Sequence, residues 1–180
     1  MAIVFKSSLS KEPTQLEKDN ALVARMAARE GFVLLKNDGV LPLKSKGIAL
    51  YGAGARMTVK GGRGSGEVRN RHSVSIESGL IDAGYDILTT SWLDDFDKFY
   101  ADTYEAYRVE MEKRVEGIKD FHKIQRAMIP FQHPSGIPVE EKHLADTDTA
   151  IYVLARQAGE GHDRKAEEGD YYLTSVEKEN

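Results

Sequence analysis

An α/β fold built on a mostly parallel sheet is predicted. Three observations lead to it. Compact apolar runs at 48–51, 85–89 and 149–154 have the length and β-branched content of buried strands. A segment with helical spacing, 76–83, joins the first run to the second. A glycine-rich loop leaves the first run before that helix. Strand, glycine loop, helix, strand is a βαβ unit, which packs as parallel strands with a right-handed crossover.

The elements follow in chain order. Thr14-x-x-Glu17 after Pro13 is a capping box, and Leu16, Leu22, Val23, Met26 and Ala27 supply an apolar stripe up to Gly31. Phe32-Val33-Leu34-Leu35 is a short apolar run that ends in a turn at Asn37-Asp38-Gly39. Pro42 prevents a helix through Leu41 and Leu43, because proline lacks the amide donor. Ile48-Ala49-Leu50-Tyr51 is the first strand. The helix at 76–83 turns Ile76, Leu80 and Ile81 inward and stops at Gly84, and a second strand begins at Tyr85. From Trp92 to about Lys123 the period is helical, with Phe96, Phe99, Tyr100, Tyr104, Tyr107, Met111, Val115 and Ile118 at three- and four-residue steps. That stripe is read as helix packing, and 92–145 as a helical insertion. Pro130, Pro134, Gly136 and Pro138 mark a connector, and the third strand follows Asp146-Thr147-Asp148.

Composition narrows the function. The 180 residues are 41% hydrophobic and 30% charged, with a net charge of −4, so the chain is globular and has no global attraction to nucleic acid or anionic lipid. No apolar run approaches the roughly 18 residues of a membrane span. The opening Met1-Ala2-Ile3-Val4-Phe5-Lys6 has too short an apolar core for a signal peptide. With no cysteine, disulfides, thiolate zinc sites and catalytic thiols are excluded, and a cytoplasmic location is the expectation. His133, His143 and His162 lack metal-ligand spacing and are read as surface or loop residues, so no metal and no cofactor is expected.

Two glycine constellations remain. Gly52-Ala53-Gly54 starts like a dinucleotide fingerprint, but Met57 stands where the third small residue is needed, and no Walker lysine is present. A nucleotide-binding domain is therefore the weakest reading. Beyond the third strand comes Gly159-Glu160-Gly161-His162-Asp163-Arg164. Glycines on both sides let the backbone turn tightly around the carboxylate, and Asp163 and Arg164 are expected to pair and hold the loop. In a parallel sheet the loops that follow these strands open on the same edge, where ligands meet such folds. Otherwise, the segment is a solvated charged turn.

The string from Arg29 through Glu30-Gly31-Phe32-Val33-Leu34-Leu35-Lys36-Asn37-Asp38-Gly39 to Leu41-Pro42-Leu43 resembles the opening of the α/β-sandwich domain of glycoside hydrolase family 3. Gly61-Gly62-Arg63-Gly64-Ser65-Gly66, Gly79-Leu80-Ile81-Asp82-Ala83-Gly84-Tyr85, the Glu160 loop and Gly169-Asp170-Tyr171-Tyr172-Leu173 follow in that family's order. The resemblance implies a retaining β-glycosidase, of β-glucosidase type, acting on terminal non-reducing β-linked sugars. It implies Glu160 as the general acid/base and Ser65 as a contact to the sugar, with Gly64, Gly66, Gly159, Gly161, Asp163 and Arg164 shaping the loops. The family nucleophile is an aspartate on a (β/α)8 barrel of about 200 residues or more, for which this chain has no room. The resemblance thus implies a partial three-layer α/β sandwich domain with a mostly parallel sheet, truncated at its C-terminal end, that precedes an absent barrel and is inactive alone. An open sheet edge would favour self-association. The competing reading is a non-catalytic sugar-binding or interaction module of the same fold.

Overall fold

The computed structural model describes residues 11–62, 71–159 and 163–180. The chain divides into two units, Met1–Pro42 and Leu43–Asn180.

In the first unit, helix α1 runs Gln15–Gly31. Its start is the expected capping box: the Thr14 hydroxyl accepts the Glu17 amide, and the Glu17 carboxylate accepts the Thr14 amide at 2.7 Å. No residue of α1 is buried, and Phe32 to Leu35 forms no strand. The turn that follows is held by Asn37, whose Oδ1 accepts the amides of Gly39 and Leu41 while its Nδ2 donates to the Leu41 carbonyl. Gly39 takes a φ of 93°, the left-handed region that glycine enters without steric cost.

The second unit is built around strand β1, Gly47–Tyr51, whose Ile48, Ala49, Leu50 and Tyr51 are all buried. Helix α2, Ile76–Asp82, leads to β2, Asp86–Ile87, and β3 is Ala150–Tyr152. The sheet order is β2-β1-β3, all parallel, as the βαβ pattern requires. β1 is buried because it is central. Fully burying Ile48 and Leu50 contributes roughly 1.5–3 kcal/mol each.

β2 is shorter than its apolar run because Thr89 takes over the pairing with a side chain. Its Oγ1 accepts the Leu50 amide and donates to the Leu50 carbonyl, both at 2.8 Å. The backbone is thereby released from the sheet, and helix α3 begins at once, spanning Thr90–Val115. The first turns of α3 belong to the core: Trp92, Leu93 and Phe96 are buried, and Trp92 stacks on Phe96 at 5.4 Å. The long helical stretch is broken where Gly117 adopts a φ of 74°. Asp120 then caps a separate helix α4, Phe121–Ala127, by accepting the Lys123 amide. A last helix, α5, is Ser175–Glu179.

Two expectations are corrected here. Ile76 and Ile81 are 38% and 53% exposed, so α2 packs on the core through Leu80 instead. His143 is no surface residue: it is 2% exposed, its Nδ1 accepts the Glu140 amide, and its Nε2 faces Asp95 Oδ2 at 3.0 Å. Accepting at Nδ1 leaves the ring proton on Nε2, which donates to Asp95. Asp95 also receives Lys142, and these hydrogen bonds hold its pKa below the usual carboxylate value. Among the described residues no helix is long and apolar enough to cross a membrane.

Candidate functional site

The carboxyl ends of β1 and β3 lie side by side, and the loops that leave them stay together. The Val153 amide donates to the Tyr51 carbonyl at 2.8 Å and the Gly54 amide to the Val153 carbonyl at 3.1 Å. Gly52 has a φ of 94°, and a Cβ there would stand 2.4 Å from the Val153 carbonyl oxygen. One at Gly54 would stand 2.7 Å from Val153 Cγ1. The glycines that mimic a dinucleotide fingerprint are thus required by close packing of one strand exit on another.

Farther out the two loops meet again. Gln157 Nε2 donates to the Gly61 carbonyl at 2.9 Å, and a Cβ on Gly62 would lie 3.2 Å from the Ala158 carbonyl oxygen. The glycine-rich run beginning at Gly61 and the Gly159 loop therefore have adjoining described flanks. Ser65, Gly64, Gly66, Glu160, Gly161 and His162 lie outside the described residues.

Each loop is fixed by an arginine. Past β1, Arg56 reaches Glu77 on α2 through two bonds of 2.8 and 3.0 Å, and Asp94 and Asp97 on α3 at 2.6 and 2.8 Å. The Glu77 hydrogen bonds lead the interactions that raise the Arg56 pKa above its ordinary value. Thr58 joins the same loop to α2, accepting the Ile76 amide while donating to the Gly54 carbonyl. Past β3, Arg156 pairs with Glu177, whose side chain is fully buried. Burial alone would raise the Glu177 pKa, but hydrogen bonds from Arg156 and from the Thr174 amide outweigh it and hold the group below its ordinary value.

The expected pairing of Asp163 with Arg164 is corrected. Arg164 turns to Asp170, with Nε 3.0 Å from Oδ1 and Nη2 donating to the Asp170 carbonyl. Asp170 Oδ2 also accepts the Lys165 amide, the leading cause of its lowered pKa. A carboxylate that also accepts a backbone amide is a better partner than one adjacent in sequence, because its geometry is already set. Gln157, Arg156 and Glu177 escaped the sequence reading. The signal for Glu177 was present: Thr174-x-x-Glu177 is a capping box of the Thr14 kind. Among the described residues no group of three or more His, Asp or Glu is placed to hold a metal.

This arrangement has known counterparts. A family model described as the glycosyl hydrolase family 3 C-terminal domain matches residues 32–180. The chain belongs to glycosyl hydrolase family 3. Among its relatives, beta-glucosidase A of Butyrivibrio fibrisolvens is 33% identical over an alignment covering 84% of this chain and 19% of that protein. A beta-glucosidase of Ruminococcus albus is 32% identical, with 83% of this chain and 15% of the relative covered. Beta-glucosidase 3B of Thermotoga neapolitana, solved in complex with glucose, is 36% identical with a TM-score of 0.57, covering 91% of this chain and 21% of that one. Its complex with glycerol gives 34% identity and a TM-score of 0.56. The chain thus spans about a fifth or less of these family 3 proteins, and it shares their α/β fold.

Proposed function

We propose that this chain supplies the general acid/base of a retaining β-glycosidase, of β-glucosidase type, that removes terminal non-reducing β-linked sugars. Glu160 is the acid/base and Ser65 contacts the sugar. The nucleophile comes from a (β/α)8 barrel elsewhere in a longer protein, in which these residues are part of the sandwich domain. Retaining chemistry needs two carboxyl groups about 5–5.5 Å apart. Glu160 gives its proton to the glycosidic oxygen as the nucleophile attacks the anomeric carbon. The resulting carboxylate then takes a proton from the water that releases the sugar. A cysteine-free chain suits the cytoplasm, where we place this reaction.

The observation that carries the reading is the Gln157–Gly61 bond, which joins the flanks of the two glycine loops beyond the carboxyl ends of β1 and β3. The printed descriptions of the relatives support the substrate class. The test is Glu160→Ala in the full-length enzyme. Expected is a large fall in kcat/KM for an unactivated disaccharide and a small one for a dinitrophenyl glucoside, which needs little proton assistance. Azide should accelerate turnover of the activated substrate and yield the glycosyl azide. Unchanged kcat/KM on the disaccharide would refute the assignment. The isolated chain should not hydrolyse either substrate. β2 and β3 are edge strands of the described sheet, which supports weak self-association of the isolated chain, measurable by sedimentation.

A further inference from the structure

We propose that Arg156 is a positioning residue: with Glu177 it closes the base of the loop that leaves β3 and fixes how that loop is presented at the sheet edge. Its catalytic consequence rests on the acid/base reading above; the closure itself does not.

A guanidinium has five N–H donors in a fixed plane, and here all five are engaged. Nε donates to the Asp170 carbonyl at 2.7 Å. Nη1 donates to the Ala155 carbonyl at 2.9 Å and to Glu177 Oε1 at 2.7 Å. Nη2 donates to the Tyr172 carbonyl at 3.4 Å and to Glu177 Oε2 at 2.6 Å. These acceptors come from three stretches of chain. Ala155 is on the limb leaving β3, Asp170 and Tyr172 are on the returning limb 14 and 16 residues later, and Glu177 is on α5, 21 residues away. One planar group therefore joins both limbs of the loop to the helix that follows.

Burial makes this junction specific. The Glu177 side chain is 0% exposed and that of Arg156 14%, so removing either leaves the other as a buried charge without its counter-charge. Glu177 Oε2 also accepts the Thr174 amide at 2.8 Å, so the carboxylate anchors the start of α5 as well. The returning limb has its own internal bonds: Lys165 N–H to Asp170 Oδ2, Tyr171 N–H to the Lys165 carbonyl, and Gly169 N–H to the Tyr172 carbonyl. The next residue, Gln157, fastens the outgoing limb to Gly61. Positions 156 and 157 thus tie that limb to the returning limb on one side and to the β1 loop on the other.

Arg156→Lys is the test, because lysine keeps the charge but has three donors in place of five; Glu177→Gln is the second variant. The first readout is amide hydrogen exchange in this chain. Expected is at least about tenfold faster exchange at Lys165, Gly169, Tyr171 and Tyr172, with the Leu50 amide unchanged. Unchanged exchange at those four amides, or an equal rise at Leu50, would overturn the closure. The second readout is kcat/KM in the full-length enzyme, with Glu160→Ala measured beside it. Expected is a fall of about tenfold or more for the disaccharide, while the dinitrophenyl glucoside stays within about twofold. Equal losses on both substrates would overturn the positioning role. If Glu160→Ala itself shows no leaving-group dependence, the acid/base reading fails and the catalytic consequence falls with it, while the exchange result still judges the closure.

Discussion

Arg56 and Arg156 occupy equivalent places, each on the loop beyond a parallel strand, yet their surroundings differ. Arg56 faces three carboxylates, two of them well exposed: the Asp94 side chain is 68% exposed and that of Asp97 44%. Arg156 faces one carboxylate that is out of solvent, together with three backbone carbonyls. Water screens the two aspartates, which can be solvated if Arg56 is lost. The second set has no such alternative. An ion pair therefore matters here by what its loss would strand, more than by how many partners it has.

The largest effect should come from Glu177→Ala, which removes the only carboxylate seen to pair with Arg156 among the described residues. About 3 kcal/mol or more of stability should be lost in chemical denaturation. Next is Arg56→Met, which leaves the partly buried Glu77 beside Asp94 and Asp97. About 1–2 kcal/mol is expected, since Glu77 keeps some contact with solvent. A loss equal to that of Glu177→Ala would erase the distinction between the two loops. Asp94→Asn should change stability by no more than about 0.5 kcal/mol, because Glu77 and Asp97 still hold Arg56.

Acid titration sharpens the contrast. The folded-state pKa of Glu177 lies below its ordinary value of 4.5, so its contribution is complete above that pH and is lost as pH falls through the lower folded value. The stability gap between the wild-type chain and Glu177→Gln should therefore be constant from neutral pH to about 5 and close below about 4.5. A gap that widened on acidification would mean that Glu177 is neutral in the folded chain.

What the sequence disclosed has a common range. The Thr14 capping box and the Asn37 turn each involve residues three or four positions apart, and side-chain chemistry alone specifies them. β1 and the parallel sheet were legible because a central strand needs an uninterrupted apolar run. The misses are contacts of long separation. Thr89 completes β1 across 39 residues, His143 meets Asp95 across 48, and Arg156 meets Glu177 across 21. Nothing local distinguishes these residues from their exposed equivalents. Pairing Asp163 with Arg164 failed for the same reason, since adjacency in sequence was taken for adjacency in space. The roles proposed for Glu160 and Ser65 rest on ordered family motifs, because a carboxylate between two glycines has no local property that separates it from a charged turn.

Thr89 has a further consequence. Because its hydroxyl satisfies both the amide and the carbonyl of Leu50, β1 is hydrogen-bonded there whatever backbone follows. The obligations of the following segment then reduce to filling the space held by Trp92, Leu93, Phe96 and Tyr100, keeping Asp97 on Arg56, and returning Ile137, Val139 and His143 to the core. The later turns of α3, which bury Met111, and α4 pack on each other and are free as a unit to change length or to be exchanged for another sequence without reopening the sheet. The fold thus contains a splice point, bounded by Tyr100 and His133, whose side chains meet at 2.8 Å, where a foreign segment can be grafted while the two glycine loops keep their footing.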